Sequence, residues 1–154
     1  MWRARLWEHP ESDREQPEFA EFWYVAYHTL FWIDLYLTGT EEGYVPPPPF
    51  ALIEQDDDGP LPPRAYTKDE LLAYLSDCRK ICQATIESMS DEEAERRCSF
   101  GWGEVSFAEL LLYTMRHVAG HAAQLHLLLG QKSIAAPNWV VWAGKRDEES
   151  EAKR

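Results

Sequence analysis

The chain has 154 residues, a length that fits one domain. Its composition is 45 % hydrophobic and 13 % aromatic, which favours a packed core over disorder. The net charge of −12 disfavours nucleic acid and anionic membranes as partners, because both present negative phosphates. No apolar run has the length of a membrane span, and the N-terminus MWRARLWEHPESDREQ lacks a signal-peptide core. We therefore expect a soluble, cytoplasmic protein.

The first strong element is a predicted helix over residues 17–38. Pro17 suits a first helical turn and Gly39 suits the position after the last turn. The segment is apolar nearly all round, which is typical of a buried helix. Residues 1–16 before it are expected to form an arm or a short helix. Residues 40–66 after it hold seven of the ten prolines and predict a long loop, either a functional lid or a passive surface segment.

A second helix is predicted over residues 67–89. Thr67 and Glu70 have the T-x-x-E spacing of a capping box at its start. Apolar or small residues then recur at helical spacing and predict its inward face. These are Leu71, Leu72, Leu75, Cys78, Ile81, Cys82, Thr85 and Ile86. The three cysteines, Cys78, Cys82 and Cys98, follow no disulfide or C-x-x-C pattern and are expected to be packing or surface thiols.

A third long helix is predicted from a second capping box, Ser106 with Glu109, to a stop at Gly130. The segment IAAPNWVVWAG after it predicts a strand-like tail or a short helix packed on the bundle. Residues 145–154 are charged and predict a disordered tail, which leaves one domain over residues 1–144.

Three long helices are one short of a four-helix bundle. Residues 1–15, the C-terminal segment or a second subunit are the alternatives for the missing side, and a homodimer is one prediction that follows.

The histidines carry the strongest chemical signal. His117 and His121 are four residues apart on one helix, so their imidazoles lie about 40° apart on one face and can converge on one ion. Gln124 lies on the same stripe, whereas His126 lies near the opposite face. His28 is set in the aromatic segment VAYHTLFWID, where a buried imidazole needs a hydrogen-bond partner or a metal. The chain has five histidines, and the fifth, His9, lies in the polar N-terminal segment.

The same residues also fit a protein without a metal. His28 is then a core histidine bonded to a backbone carbonyl. His117 faces solvent beside Arg116, and His121 packs near Gly120, where another helix can approach. The spacing alone leaves both interpretations open.

The pattern resembles the DinB-like family. One histidine lies in an aromatic helix, WYVAYHTLFWIDLYL, and about ninety residues later H-x-x-x-H-x-x-Q follows in RHVAGHAAQLHLLLG. This superfamily includes thiol-dependent transferases related to bacillithiol transferase and mycothiol-dependent maleylpyruvate isomerase. The resemblance implies an all-α, up-down-down-up four-helix bundle. It implies one divalent ion, nickel or zinc, bound by His28, His117 and His121, with Gln124 at a recurrent position but not a ligand.

The resemblance further implies a site with open coordination positions. A metal-activated thiolate would then transfer a low-molecular-weight thiol to an electrophilic small molecule. The aromatic side chains expected to line the cavity are Tyr24, Phe31, Trp32 and Trp102. Glu21 and Tyr24 precede His28 on roughly the same face and are candidates for orienting the ligands.

Three alternatives to thiol transfer stay open. A metal-bound hydroxide would make the protein a hydrolase with the same ligands. A closed site, with Glu21 or a cysteine as fourth ligand, would indicate a non-catalytic metal-binding or stress-response protein. A helical scaffold that binds a partner without any metal is the third.

Overall fold

A computed structural model of the chain describes residues 1–8, 17–55 and 61–132. Within these ranges the chain is mostly helical, as predicted, with one small β-hairpin that was not predicted. In chain order the elements are a 3-10 turn Pro17–Ala20, α1 Phe22–Thr38, α2 Lys68–Ser88, α3 Asp91–Glu95, β1 Arg97–Phe100, β2 Gly103–Ser106 and α4 Phe107–Gln131. The two strands are antiparallel, with Arg97 opposite Ser106 and Phe100 opposite Gly103.

Helix α1 is the centre of the core. Ten of its 17 residues are buried, on several sides of the helix, which confirms the prediction from its continuous apolar sequence. Its end is marked by Gly39, which adopts φ 78° and donates its backbone N–H to the Tyr36 carbonyl. A Cβ at Gly39 would lie 2.5 Å from Nη2 at the end of the flexible Arg96 side chain, which can move, so the positive φ is what favours glycine here.

The directions of the long helices follow from the contacts at their ends. The Tyr66 ring, just before α2, lies 6.0 Å from the Trp23 ring near the start of α1. Arg96, which follows α2 and α3, meets Gly39 just beyond the end of α1. Helices α1 and α2 are therefore parallel and need the long crossover between them. In contrast, α4 is antiparallel to α1, because its early Tyr113 packs on the late Tyr36 of α1, with 5.5 Å between ring centroids.

The N-terminal residues and the crossover pack on the start of α1 and α2. Arg5 forms a β-bridge with Glu21, and Trp2 Nε1 donates to the Tyr66 carbonyl at 2.7 Å. Residues 1–8 contain no helix, so this part of the N-terminal segment is an arm. The described crossover residues, 40–55 and 61–66, contain no helix or strand.

Several predicted boundaries and faces differ in the structure. Glu21 is extended, at φ −74° and ψ 146°, because it pairs with the arm; Pro17 therefore begins a separate 3-10 turn. Helix α4 continues through Gly130 to Gln131. On α2 only Leu71, Tyr74 and Cys78 are buried, since that row alone faces α1. The other large apolar residues predicted on the inward face of α2 are 38–60 % exposed: Leu72, Leu75, Ile81 and Ile86.

Some predictions lie outside the described residues. They concern His9, the segment IAAPNWVVWAG, the domain end at residue 144 and the tail over 145–154. Of the helices that the structure describes, none is both long and apolar enough to cross a membrane.

Candidate metal centre

The three histidines singled out from the sequence come together between α1 and α4. Because these helices are antiparallel, the middle of α1 meets the middle of α4, and His28 lies opposite the pair on α4. His117 Nε2 is 3.2 Å from His28 Nε2 and 3.1 Å from His121 Nε2. One ring nitrogen from each residue lies within 4.8 Å of the other two. Among the described residues, no other group of three or more histidine, cysteine or acidic side chains has this geometry.

These separations match those of ligands around a small divalent ion. Two imidazole nitrogens bound to one tetrahedral zinc ion lie about 3.3 Å apart, because each Zn–N bond is about 2.0–2.1 Å. The observed 3.1 and 3.2 Å are within a few tenths of an ångström of this value. His117 is therefore spaced from each of the other two histidines as a fellow ligand would be, and the His28 and His121 nitrogens lie within 4.8 Å of each other.

Hydrogen bonds on the far side of two rings determine where their lone pairs point. His28 Nδ1 lies 2.6 Å from Glu54 Oε2, and His121 Nδ1 lies 2.7 Å from Gln124 Oε1. Both oxygens are acceptors, so each Nδ1 donates its proton to its partner, and in this tautomer each Nε2 lone pair points inward. A proton on His117 Nε2 can satisfy only one of these two lone pairs. A cation satisfies all three inward nitrogens at once.

Burial keeps the rings on α4 in the neutral form that binds metals. Desolvation, together with the nearby His28 and His121, lowers the pKa of His117 to about 4. Desolvation also lowers the pKa of His121. His117 Nδ1 is buried and has no hydrogen-bond partner among the described residues. His126 Nε2 on the same helix is likewise buried without a partner among the described residues, so the feature that distinguishes the site is the convergence of the three Nε2 atoms.

Glu54 is the residue near the site that the sequence did not indicate. It lies in the proline-rich crossover, 26 positions after His28, and its side chain is only 4 % exposed. Its second carboxylate oxygen accepts a short hydrogen bond from the Tyr24 hydroxyl. Burial, followed by the negative charge of Glu54, raises the pKa of Tyr24 far above its usual range, so this hydroxyl stays a donor. The sequence carried no spacing signal for Glu54, because loop residues have no fixed period.

An open cavity of about 310 Å³ lies beside the histidines on the α4 surface. It is lined by Tyr113, Arg116, His117, Gly120, His121 and Gln124. The four aromatic residues predicted to line the cavity are not in this set. Trp32 only approaches His28, at 6.4 Å between ring centroids. Trp102 stacks on Tyr113, and Phe31 is buried in the core.

The predicted alternatives for a fourth ligand are engaged elsewhere. The Glu21 carboxylate accepts from Trp23 Nε1 and pairs with Arg3, so it does not orient the histidines. Cys78 is buried, with its thiol directed to the Leu30 carbonyl, and burial raises its pKa to about 12. Cys98 is also buried, and burial raises the pKa of its thiol. Both thiols are packing residues, as expected.

Comparison with known families identifies the chain. The model of the DinB superfamily matches residues 6–125. The chain belongs to the DinB superfamily. The matched region includes all three histidines of the triad and Glu54. Comparisons with curated proteins and with solved structures return no match.

Proposed function

We propose that this DinB-superfamily protein binds one divalent metal ion, nickel or zinc, through His28, His117 and His121. The observation that carries the proposal is the convergence of three imidazole nitrogens, two of them with lone pairs fixed inward by Glu54 and Gln124. A divalent ion held by these residues would lower the pKa of a thiol or a water molecule bound to it. Among the described residues the group contains three ligands, which leaves coordination open to an external molecule.

The reaction that this arrangement supports best is transfer of a low-molecular-weight thiol. The thiol loses its proton to solvent, its sulfur forms a bond to an electrophilic carbon, and the leaving group departs with its bonding electron pair. The cavity on α4 gives both reactants a route to the triad. Family membership supports this reaction class, in which the protein binds, orients and desolvates the thiol.

The cavity also favours an anionic reactant. Of the described residues that line it, Arg116 is the one that is formally charged, and none is a carboxylate. Arg116 lies over the Tyr113 ring, 5.2 Å from its centroid, and is in no ion pair among the described residues. On a chain of net charge −12 an unpaired arginine attracts anions locally. We expect Arg116→Gln to raise KM for a carboxylate-bearing thiol more than for a neutral thiol of similar size.

Two other functions use the same residues. A hydrolase would activate water in place of a thiol, with the same open position. A non-catalytic metal-binding protein would instead close the position with a further ligand. The open cavity and the distant Glu21 favour an enzyme over this closed form.

We further propose that α1, α2 and α4 are three members of a four-helix bundle of the up-down-down-up type. Two parallel helices joined by a crossover and followed by an antiparallel helix fit the down-down-up part of that topology. Homodimerisation would cover the side that the three helices leave open, and exposed Leu72 and Leu75 on α2 support it.

The first test is elemental analysis of protein purified without a tag or chelator, beside the double variant His117→Ala/His121→Ala. We expect about one nickel or zinc ion per chain, lost in the variant. Loaded protein is then mixed with a low-molecular-weight thiol and a model electrophile. Absence of metal after incubation with both ions would overturn metal binding, and would favour a helical scaffold that binds a partner. Bound metal without thiol consumption would restrict the proposal to hydrolysis or a non-catalytic role.

A further inference from the structure

A buried carboxylate from the crossover meets the metal-site histidine of α1. Among the described residues, Glu54 is the only acidic residue within ion-pair distance of His28, and its side chain is almost fully enclosed. A carboxylate in such a place is costly unless all of its interactions are satisfied. Here one oxygen faces His28 Nδ1 and the other accepts from the Tyr24 hydroxyl. The two partners lie one helical turn apart on α1, so together they hold the carboxylate at a fixed position.

The consequence for His28 is chemical as well as structural. A histidine in water exchanges its proton between two nitrogens, and only the form with the proton on Nδ1 offers Nε2 to a metal. Glu54 selects this form because its oxygen needs a donor. It also restrains rotation of the ring, which is 29 % exposed. A ligand held in this way binds a metal without first being reoriented.

We propose that Glu54 is the positioning residue for His28 and that the proline-rich crossover is thereby a structural part of the metal centre. The proposal rests on the proposed function, since His28 must be a ligand. The crossover then has a specific role, because it places the Glu54 carboxylate against Nδ1 of His28 on α1, on the side of the ring opposite Nε2. Tyr24 contributes to this arrangement, because its hydroxyl donates to the second Glu54 oxygen and so fixes the carboxylate.

The test compares three variants with the wild-type protein. Glu54→Ala removes the acceptor, whereas Glu54→Gln keeps a carbonyl acceptor of the same shape and removes the charge. Gln55→Ala is the matched control, since this neighbouring side chain is exposed and outside the site. Zinc affinity is measured by competition with a chelator. Nitrogen-15 spectra of the metal-free protein report which His28 nitrogen carries the proton.

We expect Glu54→Ala to weaken zinc binding by roughly 10- to 100-fold, the usual effect of removing such a partner. Glu54→Gln should lose less zinc affinity than Glu54→Ala, and Gln55→Ala should bind zinc as tightly as the wild type. In metal-free Glu54→Ala the His28 proton should be shared between both nitrogens, whereas Glu54→Gln should keep it on Nδ1. An unfolded chain would also share the proton between both nitrogens, so the proton position is read only in variants whose circular dichroism matches the wild type, and Glu54→Gln remains informative if Glu54→Ala does not fold.

Two results would overturn the inference. One is wild-type zinc affinity in both Glu54 variants. The other is weakened binding with the proton of His28 still on Nδ1 in Glu54→Ala, which would make Glu54 a packing residue. Failure of the proposed function looks different, because the wild-type protein itself would then bind no zinc.

Discussion

The pair α1 and α4 has two very different sides. On one side are the three histidines, with Glu54 behind His28. On the other is a groove of about 340 Å³, shared with α2 and the N-terminal arm and almost purely apolar. Its lining residues are Trp2, Phe22, Ala26, Thr29, Leu30, Ile33, Lys68, Leu71, Leu72, Leu75, Val118, Ala122 and Leu125. The same two helices therefore present a polar site and an apolar surface.

The difference indicates that the apolar groove serves the stability of the fold or assembly, whereas the histidine side serves a function. Apolar side chains along a groove stabilise whatever covers them, without any demand on geometry. On the histidine side the inward Nε2 lone pairs cannot all be satisfied without a cation, which lowers stability in its absence. A protein selected for stability alone would fill this space with apolar residues. We therefore expect variants on the two sides to affect different properties.

The largest effect is expected for His121→Ala. With only two imidazoles left, zinc affinity should fall on the order of 100-fold or more. The melting temperature of the metal-free protein should stay level or rise, because one inward lone pair is removed. Chelator competition and calorimetry measure the two properties. Nanomolar zinc affinity in this variant would show that His121 is not a ligand.

The opposite side is tested with Leu75→Glu. If a second copy of the chain covers the groove, a buried unpaired carboxylate should weaken the dimer by about 100-fold or more and leave zinc affinity unchanged. Ala84→Glu adds the same charge on the exposed part of α2 and serves as the control. Size-exclusion chromatography with light scattering gives the mass. A wild-type monomer at micromolar concentration would exclude the dimer.

A smaller effect is expected at the start of α2, outside both sides. Hydrogen bonds from Arg64 and from the Thr67 backbone lower the pKa of Glu70 from 4.5 to about 2. The folded-state pKa is below the unfolded value, so this stabilisation is full above about pH 4.5 and is lost as the pH falls towards 2. Glu70→Gln should lower the melting temperature slightly at pH 7 and have less effect at pH 2.5. An equal effect at both pH values would show that the charge is not responsible; Glu87→Gln on the exposed face is the control.

No effect on metal content is expected for His126→Ala. His126 is not part of the histidine cluster, and its Nε2 is buried without a partner among the described residues. The variant should bind as much zinc or nickel as the wild type, and elemental analysis measures this directly. Stoichiometric loss of metal would mean that the wrong histidine on α4 has been assigned.

The sequence by itself determined the long helices and the spacing on α4. Both capping boxes, Thr67 with Glu70 and Ser106 with Glu109, are present with their reciprocal hydrogen bonds. These signals are local, because a capping side chain bonds to the backbone three residues away. For the same reason the shared face of His117 and His121 follows from four residues of helix, whatever the rest of the chain does.

Only the tertiary structure decided what these elements meet. The antiparallel packing of α4 on α1 brought His28 to the pair on α4, and the crossover brought Glu54 to His28. It also left Leu72 and Leu75 exposed, although their helical spacing was that of a core face. Apolar periodicity records that a face can be buried but does not specify the element that buries it. Contacts between distant segments depend on how whole helices pack, and loop residues such as Glu54 have no period from which their neighbours can be predicted.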